Sequence, residues 1–106
     1  MKEIKFEKLV RDRIVESIKN QGDEPVYRVL DDNEYEMLLE RKLDEEVSEY
    51  HQDKTLEELA DIIEVVLALS AAKGYSTNEL IQIYKKKHEE KGGFNDKIYL
   101  VSKIIK

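Results

Sequence analysis

Two consecutive stretches decide the fold: residues 33–51, NEYEMLLERKLDEEVSEYH, and residues 55–73, TLEELADIIEVVLALSAAK. Each residue of an α-helix advances about 100° around the axis. On that wheel Leu39, Leu43 and Tyr50 form one apolar stripe, and Ile62, Val65 and Leu69 form another. Asn33 is the expected N-cap of the first helix, with Glu36 completing a capping box. Thr55 and Glu58 do the same for the second. Gly74 fits the end of that second helix. The short connection between the two predicts antiparallel packing.

Working outward, Leu9, Ile14 and Ile18 recur at helical spacing, which predicts a further helix over residues 8–20, stopped by Gly22. Another opens at Ser76, boxed by Glu79, runs to about residue 90 and is broken by Gly92 and Gly93. Residues 26–30, just after the only proline, alternate apolar and polar. The tail, residues 97–105, contains IYLV. These two segments are expected to pair as a short two-stranded β element. The expected fold class is therefore all-α: one small four-helix bundle-like domain over residues 1–106, with that β element added.

Composition narrows the function. Hydrophobic residues make up 41% of the chain and charged residues 40%, which suits amphipathic helices with solvated outer faces. The 24 acidic and 18 basic residues give a net charge of -6. This balance opposes the basic stripe of a nucleic-acid binder, so no nucleic-acid partner is expected. With no cysteine, disulfides, thiolate zinc sites and Cys nucleophiles are excluded, and two His residues disfavour a His-rich metal site. The N-terminus lacks a long apolar run, and the longest apolar stretch, residues 62–72, is interrupted by Glu64. No membrane partner is expected, and the expected location is the cytoplasm.

Carboxylates fall on faces that ought to be apolar. Glu46 lies among Leu39, Leu43 and Tyr50, with Glu49 to its side near Leu38. Glu58 and Asp61 share a face with Ile62, Val65 and Leu69, whereas Glu57 and Glu64 fall on another, solvated side. An ionised carboxylate buried without a partner costs several kcal/mol. Four that converge must take up protons or be neutralised by cations. Arg41 and Lys42 are too few for complete pairing. A hard divalent cation such as Mg²⁺ is the economical solution. Taken alone, either acidic pair also suits a solvated helix face, and Glu58 has a rival role in the cap of Thr55. Lys8, Arg11 and Arg13 cluster near the start of the chain, and Lys91 precedes the diglycine. From the residues alone these read as a solvated helix end and a helix stop.

DEEVSEY at 44–50, followed by LEELADIIEVV at 56–66, resembles the MazG-like nucleotide pyrophosphohydrolases. That all-helical superfamily includes phosphoribosyl-ATP pyrophosphohydrolases and dimeric dUTPases. Its EExxE and ExxD signature reads here as Glu45, Glu46 and Glu49, then Glu58 and Asp61. KLVRDRI at 8–14, PVYRVLDD at 25–32 and KGGF at 91–94 resemble one subgroup. The departure is the gap: only eight residues, 50–57, separate Glu49 from Glu58. The resemblance implies hydrolysis of a nucleoside triphosphate to a monophosphate and pyrophosphate. It implies Mg²⁺, or Mn²⁺, held by Glu46, Glu49, Glu58 and Asp61, and assembly as a homodimer or homotetramer. With the resemblance, Lys8, Arg11, Arg13 and Lys91 become candidate phosphate contacts, with Asp12 expected to fix Arg11 or Arg13. Glu45, at the edge of the acidic face, becomes the candidate catalytic group that orients or deprotonates the attacking water. Phosphoribosyl-ATP is the alternative substrate, and a non-catalytic helical interaction module is the alternative of another class.

Overall fold

The computed structural model describes residues 1–106. It contains four helices and no strand: α1 (Ile14–Asn20), α2 (Asp32–Asp53), α3 (Leu56–Ala72) and α4 (Thr77–Lys91). The all-α expectation holds.

α2 starts slightly earlier than the sequence predicts. Its N-cap is Asp31, not Asn33: the Asp31 carboxylate accepts a hydrogen bond from the Glu34 N–H at 2.8 Å. Asp and Asn cap comparably well, and the earlier start places Asp32 and Glu34 at the positive end of the helix dipole. The expected caps of α3 and α4 form: Thr55 accepts from the Glu58 N–H at 3.3 Å and Ser76 from the Glu79 N–H at 3.1 Å.

α2 ends at Lys54, whose left-handed backbone (φ 53) lets its N–H donate to the Tyr50 carbonyl at 2.7 Å. Thr55 then caps α3 at once. This two-residue turn makes α2 and α3 an antiparallel hairpin. At its other end Lys73 reaches Glu36 at 2.8 Å and Glu40 at 3.6 Å. Between the helices lies the core: Leu39, Val65 and Leu69 are buried, with Leu9, Tyr35, Leu43, Ala68 and Ala72 packed against them. α4 packs on α3 alone.

Two expectations fail. α1 begins at Ile14 rather than at residue 8. No Ser, Thr, Asp or Asn precedes Lys8 to cap a helix there, and a start at that point would set Lys8 and Arg11 against the positive end of the dipole. Instead Leu9 joins the core and Arg11 pairs with Asp61. The β element is also absent: residues 26–30 and 97–105 are irregular. An isolated two-stranded ribbon is marginal in water unless one face is covered, and the chain's own helices leave both segments exposed.

The observed cap is directly testable. Asp31→Ala is expected to cost about 1 kcal/mol in urea unfolding, whereas Asn33→Ala, inside the first turn, is expected to leave stability nearly unchanged. The reverse order would restore Asn33 as the cap.

Candidate metal centre

The short α2–α3 turn determines what faces what. Carboxylates spaced i,i+3 lie on one side of adjacent helical turns. Glu46 near the end of α2 therefore meets Glu58 and Asp61 near the start of α3, while Glu49 is grouped with Glu45 and Glu46 on α2. The eight-residue gap leaves a loop of two residues between the helices. Carboxylate oxygens of Glu46, Glu58 and Asp61 all lie within 4.8 Å of one another, and so do those of Glu45, Glu46 and Glu49. Glu46 belongs to both groups.

Glu46 is buried, with 7% of its surface exposed. Its Oε1 lies 3.4 Å from Lys42 Nζ, which is also 3.4 Å from Glu45 Oε1. Its Oε2 is buried with no hydrogen-bond partner, and so is Oε2 of the half-buried Glu58. The rival role of Glu58 is thus carried by its backbone: the N–H serves the cap while the carboxylate turns to the acidic group. Burial, then the charge of Glu49, pushes the Glu46 carboxyl above its ordinary range, and Lys42 opposes this. Burial raises Glu58 too, followed by Glu49, Asp53, Asp61 and Glu46.

The basic residues divide. Arg11 Nη2 pairs with Asp61 Oδ1 at 2.6 Å and its Nη1 lies 3.7 Å from Glu64 Oε1. The expected fixing of Arg11 by Asp12 is therefore replaced by pairing across the fold. Lys8 lines a cleft with Leu38, Arg41, Lys42 and Glu45, so that Glu45 is the one carboxylate of the cluster that it shares the cleft with. Arg13 stands at the N-cap position of α1 and Lys91 closes α4. Neither Arg13 nor Lys91 forms an ion pair with the cluster. Arg41 and Lys42 are too few to pair the carboxylates, as the sequence implies: Lys42 reaches Glu45 and Glu46 at spacings of three and four residues, Arg41 forms no ion pair, and two carboxylate oxygens stay unpartnered. Nothing local announced the Arg11–Asp61 pair, whose members are fifty residues apart in sequence.

The donor set fits a hard divalent cation. It is all oxygen, it converges from two helices, and two of its buried oxygens have no other partner. Mg²⁺ bonds oxygen at about 2.0–2.1 Å, so the cluster would tighten around an ion. Glu46, Glu58 and Asp61 could hold it, with Glu49 and Glu45 joining through the group that they share with Glu46.

No protein-family model matches the chain, and no solved structure matches it. A stretch of 41 residues is 58% identical to an uncharacterized protein of Mycolicibacterium smegmatis, covering 39% of this chain and 42% of that relative. The chain thus spans less than half the length of the curated relative it matches. No helix is long and apolar enough to cross a membrane.

Because the folded Glu46 carboxyl titrates above its unfolded value, metal-free stability falls as pH rises from the ordinary carboxylate range through the raised one. Glu46→Gln removes that loss. Thermal melts without metal are expected to show the variant a few degrees more stable than wild type at neutral pH, with the gap closing in acid. Mg²⁺ is expected to stabilise wild type more than the variant. A variant less stable than wild type at neutral pH, with the difference unchanged in acid, would contradict the strain assigned to Glu46.

Proposed function

We propose that this chain is a nucleotide pyrophosphohydrolase. It cleaves a nucleoside triphosphate, or a related nucleotide, between the α- and β-phosphates to a monophosphate and pyrophosphate. The observation that carries the reading is the pair of unpartnered buried oxygens, Glu46 Oε2 and Glu58 Oε2, on consecutive helices, in carboxylates that come within 4.8 Å of each other. The ordered sequence motifs at residues 8–14, 44–66 and 91–94 support it.

In this reading Glu46, Glu49, Glu58 and Asp61 would hold Mg²⁺ or Mn²⁺. The bound ion would neutralise charge on the phosphate oxygens and make water a better nucleophile. The water oxygen bonds to the α-phosphorus while the bond from phosphorus to the pyrophosphate oxygen breaks. Glu45, at the margin of the cluster, orients that water and takes its proton. Lys42 lies 3.4 Å from both Glu45 and Glu46 and offsets part of the charge that they bring together. Lys8 and Arg41, in the cleft beside Glu45, offer cationic contacts to the triphosphate. Arg11 steadies Asp61, and its remaining N–H donors can serve a phosphate oxygen.

The partner is a nucleotide and not a nucleic acid, and the setting is cytoplasmic, in keeping with the net charge of -6. Assembly as a homodimer or homotetramer belongs to the same reading. Leu56, Leu59, Ile63 and Val66 form an uncovered apolar stripe along α3, and a helix apolar on most of its faces is normally buried. The substrate follows from assay. A panel of nucleoside triphosphates plus phosphoribosyl-ATP, incubated with Mg²⁺ or with EDTA, is expected to release pyrophosphate only with the metal. Glu49→Gln and Asp61→Asn are expected to abolish release in folded protein. Glu45→Gln is expected to slow turnover by about 10²–10⁴-fold with metal affinity kept. Release from no substrate, with no thermal shift on adding Mg²⁺, would leave a helical interaction module in its place.

A further inference from the structure

A folded chain of 12.5 kDa ordinarily exposes about 6,000 Å² of surface and has a radius of gyration of about 13 Å. This chain exposes 10176 Å² and has a radius of gyration of 19.0 Å. The surplus is about 4,000 Å² per chain, roughly five times what one partner gives to a standard interface. A flat contact between two such molecules would absorb only part of it. Obligate homodimers bury about 2,000–5,000 Å² or more in total, so an interface of that class is needed to absorb a large share of it.

Much of the surplus lies in the two irregular segments. Val26, Tyr27 and Val29 are 88%, 60% and 89% exposed, and Ile98, Tyr99, Leu100, Val101, Ile104 and Ile105 are each 78% exposed or more. Neither residues 24–30 nor residues 98–106 make any backbone–backbone hydrogen bond. Both are rich in β-branched and aromatic side chains, which favour strands. A row of free N–H and C=O groups is a template for strand addition. The two segments differ in one respect. Residues 26–30 are anchored, because Arg28 grips Glu34 of α2 with bonds of 2.8 and 2.7 Å. Beyond the Phe94–Lys97 turn, the tail has no hydrogen bond at all.

We propose that residues 98–105 of one copy add as a β-strand to residues 26–30 of a second copy, giving a dimer with exchanged tails. The second copy is the occupant because the uncovered area is of the order that an obligate homodimer buries, and each copy carries both halves of the ribbon. The exchange satisfies in each copy both an anchored receiving edge and a free donating strand. The uncovered stripe on α3 supplies apolar surface against which such a ribbon becomes stable. The inference goes beyond the catalytic reading and does not depend on it.

The chain has no cysteine, so introduced ones report cleanly. Val29→Cys protein is co-expressed with Tyr99→Cys, Val101→Cys or Lys103→Cys protein, one at a time, and mildly oxidised. The expected result is a covalent pair of two different chains from at least one combination. Light scattering of the unmodified protein is expected to give a dimer or a multiple of it, and Leu100→Asp with Val101→Asp is expected to reduce that mass. The Val29→Cys, Val101→Cys double variant is expected to form an intermolecular disulfide. An intrachain disulfide at monomer mass, no cross-link from any combination, or a monomeric unmodified protein would each overturn the proposal.

Discussion

The carboxylates of Glu46 and Glu58 come within 4.8 Å of each other across the α2–α3 hairpin, because the turn at Lys54 and Thr55 folds α3 straight back along α2. Lys54 adopts a left-handed backbone to end α2, and Thr55 caps α3 immediately. Like charges are thereby brought to one place, with Glu46 buried and Glu58 half-buried, and much of the remaining structure responds to it. Lys42 sits between Glu45 and Glu46. Arg11 crosses from the N-terminal segment to Asp61, drawing Leu9 into the core. The N-terminal segment is held in place by the charge it brings as well as by its apolar residue.

These counterions are incomplete. Two cations meet five carboxylates, and Oε2 of Glu46 and of Glu58 still lack partners. A protein selected for stability alone would place leucine or glutamine there. Keeping ionisable groups at such a point makes sense when another cation completes the set. The small core of Leu39, Val65 and Leu69 leaves little stability to spare, which sharpens the conflict. Burial against a second copy and binding of a cation would relieve it from two directions.

Much of this was legible in the sequence. The caps at Thr55 and Ser76, the stripes of α2 and α3, and the inward-turned carboxylates of Glu46 and Glu58 follow from local periodicity, and the structure forms them. What was not legible depended on distance. The beginning of α1 was misplaced because Leu9 and Arg11 answer to partners on α2 and α3, not to their neighbours. The Arg11–Asp61 pair has no local signature. The cap of α2 was misplaced by two residues because Asp31 and Asn33 are both good caps, and the choice turns on acidic residues in the first turn. The strand pattern in residues 26–30 and 97–105 is real in composition, but a ribbon forms only where something covers it. The chain's own four helices do not reach.

The most direct measurement is a Mn²⁺ titration followed by electron paramagnetic resonance, which reads free ion as bound ion disappears from the spectrum. Wild-type protein is predicted to take up Mn²⁺ at neutral pH, to release it to excess Mg²⁺, and to lose it as pH falls and the raised Glu46 and Glu58 carboxyls take up protons. Glu46→Gln, which removes the residue shared by both carboxylate groups, is predicted to bind far more weakly. Mn²⁺ that stays free in the presence of wild-type protein, or binds equally well to Glu46→Gln, would contradict a cation site built on the α2–α3 hairpin.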